Sequence, residues 1–265
     1  MDSLLSTLAI AAYLGVLAPE RLRLRLGRVS RGLLPLGLLL HALGLAWAAS
    51  TTGVALLASM RGGLGLFSLG LLVAWALVER RGPRSLEVLR PVVMPVGLLL
   101  LGASLLAPLR DSSTDLHSVW FPVHITLLLA GFISFGLAFV GSAGFLTVRR
   151  RLKAKDLSEI GRMPSLDLLD TLAGRAMVAG MVALSAGIVV GLLWGVVHGT
   201  SRSVVDPTVV ATVLVWGWYA GGLWLRLVSG VRGRLAAIIG VVGFAGLIIL
   251  IGSSVALQRW HGFVS

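Results

Sequence analysis

The chain has 265 residues, 57% hydrophobic and 13% charged, with a mean hydropathy of +0.95, which excludes an ordinary soluble domain and points to an integral membrane protein. Its formal charge of +12 is carried by short basic loops between apolar runs, so membrane topology accounts for it and no nucleic acid is expected as a partner. There is no cysteine, which excludes disulfides, thiolate catalysis and thiol exchange by this chain itself.

The first apolar run, 3–18, follows Asp2 without a basic flank and therefore reads as a retained helix rather than a cleaved signal. The second, 32–49, carries His41, about 13 Å from the start of the run by helical rise. An ionisable side chain inside a span faces the protein interior and marks a function; the plain alternative is a neutral imidazole bonded to a neighbouring helix. Further runs lie at 62–78, 90–107, 122–147, 175–196, 208–228 and 235–257. A helix needs about 20 residues to cross the ~30 Å hydrocarbon core. Continuous rather than alternating apolarity argues against a closed barrel. The expected fold is an all-α integral membrane protein, a bundle of about eight transmembrane helices forming one polytopic domain over residues 1–265 in the lipid bilayer. The 34 glycines suit helices that pack through small residues, and the ladder Gly187, Gly191, Gly195 reads as a close helix contact rather than a ligand site.

Orientation follows from the loops. Nineteen of the 23 basic residues fall between spans one and two, three and four, five and six, and seven and eight. The arginine-rich side is cytoplasmic by the positive-inside rule, which puts both termini on the outer side of a multi-pass protein of the cytoplasmic (inner) membrane. The longest connection, 149–175, is expected as a cytoplasmic basic loop, with a short surface helix as an alternative, in which Asp156, Glu159, Asp167 and Asp170 dilute the positive charge.

His124 opens the fifth run and His261 follows the eighth, each opposite the arginine-rich end, so both imidazoles belong to the outer face. Paired neutral imidazoles there can clamp a metal centre such as a haem iron; the plain reading of each alone is an interfacial histidine in water. His117 and His198 fall in polar outer loops and read as solvated. Trp120, Trp194 and Trp260 sit where an aromatic belt is expected. Trp216 and Tyr219, one turn apart, share a face that suits either helix packing or the wall of an apolar cofactor pocket. Asp206 before Pro207 is a cap and first-turn pair for the seventh helix. No hydrolytic triad, phosphate loop or Cys/His zinc pattern is present, which disfavours a classical enzyme.

The stretch DPTVVATVLVWGWYAGGLWLR, from Asp206 to Arg226, resembles the helix after the tryptophan-rich signature of the cytochrome c assembly proteins of CcsA/ResC type. VHITLLLAGF from Val123, PSLDLLDTLAGR from Pro164, His261 beyond the last run and His41 in HALGLAW are similar to further pieces of that family. The resemblance implies haem b as ligand, His124 and His261 as its outer pair, His41 as an early buried ligand, and Asp206, Trp216 and Tyr219 close to the cofactor. It also implies a cytochrome c assembly partner and apocytochrome c, whose thiols this chain lacks. Two departures mark the HemX/YpjD-type branch: GVVHGTSRSVV replaces the tryptophans between Trp194 and Asp206, and Trp224 stands at the place of a second buried histidine. Haem delivery toward the outer face is the leading expectation. A HemX-like regulator of tetrapyrrole biosynthesis that ligates no haem, and a small-solute transporter, are the rivals; spans nearly free of charge weaken the last.

Overall fold

A computed structural model describes residues 1–18, 28–53, 55–107, 120–155, 160–197 and 207–264, and of 28–31, 58, 160, 207–208 and 253–264 the backbone alone. Eight longer helices account for most of them: α1 (Asp2–Val16), α2 (Arg28–Thr52), α3 (Met60–Arg81), α4 (Arg90–Leu106), α5 (Trp120–Lys153), α6 (Leu166–Val197), α7 (Pro207–Leu227) and α8 (Arg234–Val264). No strand occurs among the described residues. Each apolar run in the sequence falls on one of these helices. Six helical stretches are long and apolar enough to cross a membrane, within α2, α3, α5, α6, α8 and the stretch Arg84–Leu106 that contains α4; α1 is a shorter apolar helix. The chain is a multi-pass, all-helical membrane protein.

α5 and α6 form the most extensive pair, and their backbones touch because glycines face each other. A methyl group on Gly131 would lie 3.1 Å from the Leu184 nitrogen and 3.3 Å from the Gly180 oxygen, and one on Gly141 3.0 Å from the Ala173 nitrogen. α5 also contacts α3, α4 and α8, which makes it the central post of the bundle. The core there is aromatic: Phe135 stacks on Tyr219 of α7 at 3.7 Å between ring centres, while Phe139 stacks on Phe244 of α8 at 4.9 Å. Phe67 of α3 meets Phe244 edge-on at 6.4 Å. Such pairs add to area burial, and in lipid, where no hydrophobic force joins helices, packing of this kind is what holds them.

Polar groups tie the helix ends. At the arginine-rich end, Glu79 of α3 accepts a hydrogen bond from the Trp75 indole and pairs with Arg90 at the start of α4. At that same end Arg226 of α7 donates to both carboxylate oxygens of Asp170 in α6, at 3.1 and 2.6 Å, and to its carbonyl at 2.7 Å. The Asp170 carboxylate also accepts the Gly233 N–H at 3.2 Å, so α6, α7 and the turn into α8 meet on one side chain. At the opposite end Arg61 donates to the carbonyls of Ser104 and Leu105 in the last turn of α4, a cation at a helix C-terminus, and approaches Asp2 at 3.6 Å.

The basic stretch expected as a loop over 149–175 is mostly helical. α5 continues through Arg149, Arg150, Arg151 and Lys153, and α6 begins at Leu166, with a short turn at Ile160–Arg162 between them. The apolar periodicity stops at the membrane boundary while the helices do not, because nothing between Leu146 and Lys153 breaks a helix.

Candidate functional site

His124 sits on the second turn of α5, at the end away from the arginines. Its Nδ1 lies 2.7 Å from the Gly187 carbonyl oxygen of α6. A carbonyl only accepts, so Nδ1 carries the proton and Nε2 keeps the lone pair of the neutral ring. The ring is seated against Gly191, one turn further on, where an added methyl would lie 2.5 Å from Cε1 and 2.6 Å from Nδ1. The glycine ladder thus does two things: it brings the helices together and leaves a notch for the imidazole. Phe121 and Trp194, 5.9 Å apart between ring centres, pack beside it across the same two helices.

His41 lies in α2 with no exposed surface. It stands between Gly37 and Gly44, which let α1 approach: methyls there would meet the Tyr13 ring at 2.5 Å and Ser6 at 3.3 Å. Tyr13 is equally buried, its hydroxyl 3.4 Å from His41 Nδ1 and its ring edge-on to the imidazole at 6.2 Å. His41 Nε2 has no hydrogen-bond partner among the described residues.

Trp216 and Tyr219 turn to different neighbours. Tyr219 is fully buried with one face covered by Phe135, so it fills the core rather than lining an open pocket; its hydroxyl has no hydrogen-bond partner among the described residues. Trp216 is 39% exposed and donates its indole N–H to Ser185 of α6 at 3.0 Å. Shared face and shared environment differ here because Tyr219 points at the central post α5. Pro207 is the first residue of α7, while Asp206, His117 and His198 lie outside the described residues. The backbone of His261 lies within α8, and its side chain, with the pairing expected between His124 and His261, lies outside the described residues.

The residues present fit haem on two observations. His124 offers a ring whose far nitrogen is oriented by a carbonyl, the usual arrangement behind a metal-ligating imidazole. His41 holds a buried nitrogen without a hydrogen bond. Among the described residues no three His, Asp or Glu side chains cluster as a bare ion requires. A porphyrin brings four nitrogen ligands of its own and asks the protein for axial donors only. Sequence reasoning missed Tyr13 and the notch under His124. The signals were there in a glycine one turn before His41 and two glycines spaced four apart on α6.

Comparison with known proteins adds to this geometry. The chain is 32% identical over 130 residues to Protein HemX of Brevibacillus brevis, covering 49% of this chain and 47% of that protein. It is 27% identical to Protein HemX of Bacillus subtilis, covering 62% and 63%, and 27% identical to Cytochrome c biogenesis protein CcsA of Prochlorococcus marinus, covering 68% and 67%. The matches thus span between about half and two thirds of these relatives. No solved structure matches the chain significantly. The family described as Cytochrome C assembly protein matches residues 57–261, which takes in α3 to α7 and nearly all of α8 and leaves α1 and α2, with Tyr13 and His41, ahead of it. With that span matched, the chain belongs to the cytochrome c assembly protein family.

Proposed function

We propose that this protein is a haem-handling factor of cytochrome c assembly in the cytoplasmic membrane, delivering haem b toward the outer face. The observation that carries the reading is the His124 seat, where the Gly187 carbonyl orients a ring at the end of the bundle away from the arginines. In this reading His41 receives haem inside the bundle, His124 with His261 holds the iron at the outer face, and Asp206 contributes to the same cofactor site. Trp216, half-exposed, packs against the porphyrin. Haem supplies the vinyl groups and iron; this chain binds, orients and shields it. Because the chain has no cysteine, the thiols come from apocytochrome c, and an assembly partner completes the attachment. The topology that goes with it has eight crossings, α1 and α7 included, in one polytopic domain with both termini outside and residues 149–175 at the cytoplasmic surface.

The test is spectral. Purified protein is expected to show a haem Soret band that collapses in the double variant His124→Ala, His261→Ala. Protein that purifies without haem and takes none up from solution would sink the reading. The relatives named HemX favour a second reading, a membrane regulator of tetrapyrrole biosynthesis that ligates no haem and acts through residues 152–172. Under it a biosynthetic enzyme co-purifies with the haem-free protein and is lost when that segment is replaced.

A further inference from the structure

α7 carries a face that no other helix covers. Val210, Val213, Gly217, Gly221 and Trp224 are exposed and recur at three- and four-residue intervals, so they line up along one side of the helix. The two glycines form its floor: a methyl group on either would have no atom within 4 Å. Trp216 and Trp218 flank Gly217 and are drawn apart, one donating to Ser185 of α6 at 3.0 Å and the other to the Ile239 carbonyl of α8 at 3.1 Å. The Trp218 ring is also seated against Gly243, where a methyl would lie 2.6 Å from its Nε1. With both indoles pinned sideways, the strip between them is a trough open away from the bundle. From Gly217 to Val228 it runs about 16 Å by helical rise, roughly one leaflet of the hydrocarbon core.

The trough ends at charge. Arg232 and Arg234 flank Gly233 in the turn into α8; both are exposed, and neither makes an ion pair among the described residues. Arg226 is spent on Asp170, so this end stays net positive even with Asp167 of α6 counted. α8 starts at Arg234 and adds the positive end of a helix dipole. Beside them Trp224, Leu227 and Leu235 are each more than half exposed, an aromatic and aliphatic shoulder of the kind that sits at headgroup depth. A bare apolar strip would accept any lipid tail or another helix, and the arginines select among these. A second copy packed on this face about a two-fold axis along the membrane normal would bring its own Arg232 and Arg234 to the same level, like charge toward like. A zwitterionic lipid would leave both cations without net compensation. We propose that trough and turn together bind one anionic phospholipid of the leaflet at the arginine-rich end, its phosphate against Arg232 and Arg234 and an acyl chain over Gly217 and Gly221. The site rests on α7 crossing the bilayer, as in the eight-crossing topology above; it does not depend on haem.

Native mass spectrometry of the full chain, released from bilayers of equal phosphatidylglycerol and phosphatidylcholine, counts the lipid that stays bound. The wild type is expected to retain phosphatidylglycerol over phosphatidylcholine by roughly tenfold, from the attraction between two basic side chains and an anionic headgroup. Arg232→Gln with Arg234→Gln should abolish that preference. Gly217→Leu with Gly221→Leu keeps the arginines and fills only open space, and it should lose the retained lipid. Equal retention of the two lipids by the wild type, or a preference unchanged in the arginine variant, overturns the proposal. So does a dimer mass that vanishes in the leucine variant, because a second copy then fills the trough, and so does haem b bound there in place of lipid. A second arm uses bilayers with brominated acyl chains and reads Trp224 fluorescence as the difference between the wild type and Trp224→Phe. Quenching is expected. Quenching without a lipid preference removes the lipid site and leaves the crossing intact, whereas an unquenched Trp224 takes α7 out of the bilayer and the site with it.

Discussion

Gly191 is the residue on which the outer histidine depends, though it has no side chain to offer. Its notch holds the His124 ring against the Gly187 carbonyl, and a methyl there would lie 2.5 Å from Cε1. Gly191→Ala is therefore expected to push the imidazole off its carbonyl while the helices, which touch elsewhere along their length, stay paired. Measured in haem titrations, this variant should lose affinity by at least several-fold and change the Soret position, and an unchanged spectrum would mean that the seat does not orient the ring. The position of His124 at the end of an apolar run was legible from charge and hydropathy alone. The partner behind it was not, since a backbone carbonyl leaves no trace in a sequence. Tyr13 shows the same limit: nothing in α1 by itself says which face of α2 it will meet.

At the scale of helices, the sequence announces the apolar runs but not how their ends are fastened. Asp170 lies in a segment that reads as a cytoplasmic connection, yet it sits in the second turn of α6 and binds Arg226 and the Gly233 N–H. Both side chains are mostly buried, 12% exposed for Arg226 and 16% for Asp170, so removing one partner strands the other. Asp170→Ala is expected to cost about 3–5 kcal/mol, the usual penalty for half of a buried pair. Thermal unfolding in detergent should show a large fall in midpoint, whereas Asp170→Leu combined with Arg226→Met should recover much of it. If the single variant melts like the wild type, the clamp does not hold these helices. The aromatic core was partly legible. The spacing of Trp216 and Tyr219 put them on one face of α7, but only the fold brings the Tyr219 ring onto Phe135 of α5.

For the whole molecule, the absence of native cysteine turns topology into a direct measurement. Single cysteines introduced as Thr52→Cys and Lys155→Cys report on opposite ends of the bundle. In intact cells a membrane-impermeant maleimide is expected to label the first and to reach the second only after the membrane is opened. The reverse pattern would invert the orientation drawn from arginine placement. Fold class and orientation come from bulk hydropathy and loop charge, quantities spread over many residues, so the sequence carries them redundantly. The histidine seats rest on single contacts between distant helices, and these exist only once the chain has packed.

That packing order separates the two seats in time. During synthesis the N-terminal portion emerges first and begins to fold as a unit. Tyr13 can meet His41 as soon as the second helix has entered the bilayer, 28 positions apart in the chain. His124 must await Gly187, 63 positions later, before its ring is held. A chain stalled on the ribosome between α2 and α6 would thus present an inner histidine already paired with its phenol and an outer histidine with no carbonyl to orient it. Biogenesis itself gives the molecule an inside-first sequence of maturation.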